Sequence, residues 1–149
     1  MMSIPTELEQ VFAIDDGSLP EIRVEGLDHQ SIEDAIDLIH SAALTPAKYG
    51  HEAGPDAPAG ANHFVVRVAV DGTDLPELGV APFEDAIIID YRMGPAWDAK
   101  RIDALFELLR RICAVKAGAH IEIEPEADPK LRRAFQKAWM QYLTRRGAA

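Results

Sequence analysis

Apolar and polar side chains alternate along Glu21-Ile22-Arg23-Val24-Glu25, the period-two signature of a strand with one face in a core and the other charged. Phe64 to Val70 repeats the pattern with Phe64, Val66, Val68 and Val70 on one side, and Ile87, Ile89 and Tyr91 mark the core side of a further strand. Ile121 and Ile123 alternate with His120, Glu122 and Glu124 in a short fourth one. Between these runs the period changes to that of a helix. Ile32, Ala35, Ile36, Ile39 and Ala43 share one helical face, with Ser31 and Asp34 arranged as a cap and Pro46 setting the stop near Leu44. Ile102, Leu105, Phe106, Leu109, Ile112 and Cys113 form a second stripe, capped by Asp98 and closed by Gly118. Asp128-Pro129 opens a third helix, whose stripe is Leu131, Phe135, Ala138, Trp139 and Tyr142.

The order strand, helix, strand, strand, helix, strand, helix predicts an α+β fold. Its first six elements match a ferredoxin-like split βαβ arrangement, βαββαβ, with an antiparallel sheet covered by helices on one face. The last helix is additional, and Glu7 to Ile14 reads as either a short N-terminal strand or a helical turn. Asp15-Asp16-Gly17-Ser18 and Asp71-Gly72-Thr73-Asp74 read as turns. Residues 1–149 are expected to form one domain, since a chain of this length buries roughly 68–70% of its unfolded surface. Within it, residues 45–63 form a long Gly-, Pro- and Ala-rich loop carrying His51 and His63; loops beyond ~12–15 residues are commonly functional or flexible.

Composition narrows the classes. The chain is 48% hydrophobic and 27% charged, which is ordinary for a globular protein. Cys113 is its single cysteine, so one chain can build neither an internal disulfide nor a cysteine zinc cage. A basic N-terminal leader and a long apolar span are both missing from the pattern, and the expectation is a cytoplasmic protein away from membranes. A net charge of −10 argues against nucleic acid as a partner, because phosphate binding requires a basic face. The charge is unevenly spread: residues 1–91 carry 3 basic and 18 acidic side chains, and residues 92–149 carry 12 and 7. Two halves that neutralise each other across one surface explain this without a partner.

No motif identifies a chemistry. His51-Glu52 lacks the second histidine of a zincin, so no metal is expected, and no glycine-rich turn joins a strand to a helix with nucleotide spacing, so no cofactor is expected. Cys113 falls on a buried helical stripe and reads as structural. Two readings remain. In the first, the chain is a non-catalytic binding or interaction domain for a protein or small molecule. It would use the sheet face that carries Arg23, Asp90, Arg92 and His120, or the aromatic last helix, with self-association into a homodimer through Phe135, Trp139 and Tyr142. In the alternative, Asp90, Arg92 and Trp97 meet the 45–63 loop, with His51, in the pocket of a small hydrolase or isomerase-like enzyme.

Overall fold

The computed structural model describes residues 21–44, 48–49, 63–91, 97–123 and 129–145. Within them the chain is mixed α+β. In order come β1 (Glu21–Glu25), α1 (His29–Ser41), β2 (Lys48–Tyr49), β3 (Phe64–Val66), β4 (Ala69–Val70), β5 (Thr73–Asp74), β6 (Leu78–Pro82), β7 (Ala86–Tyr91), α2 (Ala99–Cys113), β8 (His120–Ile123) and α3 (Pro129–Arg145). The main sheet runs β2-β3-β6-β7-β1-β8, and every neighbouring pair in it is antiparallel.

The expected strand from Phe64 to Val70 is broken in two. β3 ends at Val66, and β4 leaves the sheet to pair with β5 in a separate two-stranded ribbon. The turn between them is Asp71-Gly72, both at positive φ (49° and 83°), the backbone that a tight two-residue hairpin of matching twist requires. Next to β3 the sheet takes in β6, a strand that alternation did not reveal. Its sequence Leu-Gly-Val-Ala-Pro holds a glycine and a proline, residues that argue against a strand interior.

Helix boundaries follow capping chemistry. The cap of α1 is Asp28 and not Ser31: the Asp28 carboxylate accepts from the Ser31 backbone N–H at 2.9 Å, and the Ser31 hydroxyl accepts from the Asp28 N–H at 2.8 Å. This reciprocal box satisfies two orphan donors. Those same bonds, from the Ser31 backbone first and its hydroxyl second, hold the Asp28 carboxyl down at about 2. α1 then stops at Ser41, before Pro46 can act. Asp98 caps α2 as expected, accepting from the Arg101 N–H at 3.0 Å. That helix ends at Cys113, five positions short of Gly118, whose φ of 89° serves the turn into β8 instead.

One core holds the elements together. Ile22, Val24, Leu78, Val80, Ile87 and Ile89 from the sheet are fully buried with Ala35 and Ile39 of α1 and Ile102, Leu105, Phe106 and Leu109 of α2. α2 is buried on more than one side, because α3 lies against it. Phe106 meets Phe135, Trp139 and Tyr142 edge-on, with ring centroids 5.2, 5.7 and 5.8 Å away, the geometry in which the positive edge of one ring faces the π cloud of another. Phe135, Trp139 and Tyr142 are therefore core residues of this chain, 0%, 8% and 4% exposed, which leaves them little surface to offer a second copy. Among the described residues no helix is long and apolar enough to cross a membrane.

Candidate functional site

The helices and the inward side chains occupy one face of the main sheet. Strand register lays out the other face row by row. The first row reads Val65, Gly79, Asp90, Glu21, with the Lys48 position beyond Val65. The second reads Ala81, Ile88, Arg23, Glu122, with His63 entering it from the start of β3. The third holds Ala86, Glu25 and His120. The pleat sends alternate residues to this side, so the charged positions of β1 and β8 and the small or apolar positions of β6 and β7 come together. The result, among the described residues, is half-buried Val65, Ala81 and Ile88 over the buried Gly79 and Ala86, bordered by four carboxylates, the Arg23 guanidinium, two imidazoles and the Lys48 position.

Charge contacts cross this face. Arg23 Nε donates to Glu25 at 3.0 Å, and His120 Nε2 lies 3.6 Å from Glu25 and 3.9 Å from Glu122. His63 Nε2 lies 3.7 Å from Asp90 Oδ2. Each such half-exposed pair contributes ~0.2–1 kcal/mol, so they arrange charge more than they stabilise the fold. The approach of His63 to Asp90 is the unusual one, because β6 runs between their strands. It is allowed by Gly79: a Cβ built there would overlap the Asp90 carboxylate. The glycine that disguised β6 as a loop is what lets the carboxylate lie across that strand.

The site residues expected from sequence divide accordingly. Asp90, Arg23 and His120 share the open face. Trp97 does not join Asp90 at a mouth: it is 1% exposed and packs edge-on against Tyr91, with centroids 5.5 Å apart, on the core side of β7. The alternation that points Asp90 outward points Tyr91 inward, so Trp97 belongs to the core as a packing residue. Burial also pushes the Tyr91 phenol pKa up. Arg92 and His51 lie outside the described residues. His63, which the sequence places at the end of the 45–63 loop, supplies the imidazole beside Asp90; the signal was its even spacing from Val65, which sets both on one face. Arg67 follows the end of β3, and its carbonyl accepts from Leu44 N–H at 2.8 Å.

Two clefts open on the helix side. One, of about 670 Å³, lies between the β4–β5 hairpin, α2 and α3. Glu107 and Tyr142 are part of its wall, and Glu107 accepts from Arg110 at 3.0 and 2.6 Å, from Arg111 at 2.8 Å and from the Tyr142 hydroxyl. Burial pushes the Glu107 carboxyl pKa up, but hydrogen bonds from Arg110, Tyr142 and Arg111 outweigh it and hold the group at about 2. A carboxylate so fully engaged is a structural tie between α2 and α3. The second cleft, about 780 Å³, separates β8 from α3 and includes Cys113, Trp139 and Met140 in its lining. Burial raises the Cys113 thiol to about 11, so the reactive thiolate is scarce near neutral pH. Among the described residues no group of three or more His, Cys, Asp and Glu side chains could hold a metal ion. Comparison with family models, with curated proteins and with solved structures finds no match to this chain, and its functional reading therefore rests on the geometry of the open face.

Proposed function

We propose that the protein is a non-catalytic binding domain whose contact surface is the open face of the main sheet. The observation that carries the reading is the layout of that face: half-buried Val65, Ala81 and Ile88, over the buried Gly79 and Ala86, lie beside a charged border on β7, β1 and β8. An apolar patch bordered by polar side chains is the anatomy of a recognition surface. The ferredoxin-like frame belongs to the same proposal. β6, β7, β1 and β8 are consecutive in the sheet, and α1 and α2 follow β1 and β7, an arrangement that supports a split βαβ core with β2 to β5 inserted after the first helix. Such a frame leaves one sheet face for contacts.

The experiment is an amide chemical-shift titration with three peptide probes: octalysine, octaglutamate and a neutral peptide of alternating serine and leucine. The reading expects at least one probe to move amides of β1, β6, β7 and β8 together. Shifts confined to the outer surfaces of the helices, or none with any probe, contradict it.

One observation favours a second reading. The His63–Asp90 approach at 3.7 Å resembles an acid/base pair of a small hydrolase or isomerase-like enzyme, although it exceeds the ~2.6–3.2 Å of a working proton transfer. Turnover of an activated ester that is lost in both His63→Gln and Asp90→Asn would favour this reading; equal background rates in all three proteins would remove it.

A further inference from the structure

We infer that the open face docks a cationic segment of a partner chain, and that protonation of His63 and His120 weakens this docking. The inference rests on the reading of the open face as a binding surface, and adds the class of occupant and its control.

Charge decides the occupant. Among the described residues of the face, Glu21, Glu25, Asp90 and Glu122 stand against the guanidinium of Arg23, which already donates to Glu25, and the Lys48 position at the β2 edge. Glu21 and Asp90 are directly opposite each other on adjacent strands, where like charges disfavour pairing. A cationic segment laid over the rows relieves that repulsion, whereas an anionic one adds to it. The half-buried Val65, Ala81 and Ile88 admit the stems of lysine or arginine side chains, whose methylene groups bury well while their heads reach carboxylates.

The control follows from where the imidazoles sit. Both histidines of the face lie within 4 Å of a carboxylate: His63 beside Asp90 at 3.7 Å, His120 beside Glu25 and Glu122 at 3.6 and 3.9 Å. Around His63 the other charged positions of the described strands are Glu21 on β1, Arg23 on β1 and Lys48 on β2. Around His120, the Gly118 carbonyl lies 3.2 Å from Nδ1. Arg110 and Lys116 line the neighbouring cleft, and both already pair with carboxylates, Glu107 and Asp28. Imidazoles gain charge between about pH 8 and pH 5, whereas carboxylates of ordinary pKa stay ionised down to about pH 4. A proton gained by either imidazole places a positive charge within 4 Å of a carboxylate of the face and weakens the attraction for a cation there. By linkage, a bound cation must disfavour protonation of both imidazoles.

The test is octalysine binding to the whole protein at about pH 8 and about pH 5.5, read from amide shifts of the sheet and from the imidazole C–H signals of His63 and His120. Affinity is expected to fall roughly three- to tenfold at the lower pH, and saturating octalysine to lower both imidazole titration midpoints. In His63→Gln/His120→Gln binding should persist with the pH dependence gone. Because both side chains are about half exposed, the double variant is expected to fold, and the wild-type imidazole midpoints give the same answer without it. Equal affinity at the two pH values, or unmoved midpoints, overturns the inference. Binding of octaglutamate or the neutral peptide in place of octalysine overturns it too while leaving the surface reading intact, and silence from all three probes removes the surface reading itself.

Discussion

Gly79 and Asp90 show how one missing methyl group shapes a surface. The Gly79→Ala Cβ would meet only the end of the Asp90 side chain, so the carboxylate rather than the strand gives way. Alanine also limits the unfolded chain more than glycine, an effect of ~0.5–1 kcal/mol. Gly79→Ala should therefore melt within about 1 kcal/mol of wild type in urea, yet shift the His63 imidazole signals by displacing its neighbour; unchanged His63 signals would show that the two side chains do not sense each other.

Glu107 offers the opposite case, a buried group whose role is cohesion. Its folded pKa, about 2, lies below the ordinary 4.5, so the unfolded state binds the proton more readily. Its contribution is complete above pH 4.5 and is lost as pH falls toward 2. Glu107→Gln should cost about 2–3 kcal/mol at neutral pH, less than the ~3–5 kcal/mol of a fully buried pair because both guanidiniums reach solvent. It should also flatten the loss of stability in that acid window, measured by urea unfolding at a series of pH values; an unchanged slope would mean that other carboxylates dominate there. Cys113, raised by burial to about 11, should react with a thiol reagent at neutral pH far more slowly in the folded protein than in urea.

Among the elements, α3 is joined to α2 by ring packing and by two polar ties, Tyr142 to Glu107 and Arg145 to Asp103. Tyr142→Phe keeps the ring and removes only the hydroxyl, and should cost about 1–2 kcal/mol. Phe106→Ala removes the ring that three aromatics share and should cost about 3–5 kcal/mol. Thermal melting that ranks the two the other way would mean that the polar tie, not the aromatic cluster, seats the helix. How legible these elements were depended on whether local pattern and tertiary role agreed. α2 and β7 carry long uniform stripes, and both are where periodicity put them. α1 was recognisable, but its first turn was misassigned because Ser31 looks like a cap on its own and becomes the third helical residue only once Asp28 is seen to close the box. β6 was illegible because Gly79 serves a neighbour's side chain and Pro82 ends the strand, so neither obeys the propensity of its own element. The aromatic stripe of α3 was plain, but where it packs depends on Phe106, far away in sequence.

For the whole molecule, the uneven charge of the chain resolves in part into internal pairs. Arg111 reaches Asp71 at 2.8 Å, Lys116 reaches Asp28 at 3.3 Å, and Arg101 donates to the Asp74 carbonyl at 3.2 Å. The first two pair a cation of the basic second half with a carboxylate of the acidic first half, and the third joins the halves through a backbone carbonyl. Among the described residues of the open face, the four carboxylates outnumber Arg23 and the Lys48 position, which is the physical basis of the proposal of a cationic partner. The candidate residues Arg23, Asp90 and His120 were placed on this face by counting alternate positions, which needs only register. The role of His63 is not legible in the sequence, because its partner Asp90 is two strands away, a relation that no one-dimensional pattern encodes.

One comparison tests the open face as a contact surface most directly: octalysine binding, by amide shift titration near neutral pH, to wild type, to Ala81→Lys/Ile88→Lys and to Met140→Lys. Ala81 and Ile88 are half-buried in the middle of the open face, whereas Met140 is 61% exposed on α3, so all three proteins should fold. Two cations at the centre of the face should abolish the binding that wild type and Met140→Lys retain. Equal binding by all three, or loss in Met140→Lys alone, would contradict the assignment of the open face as the contact surface.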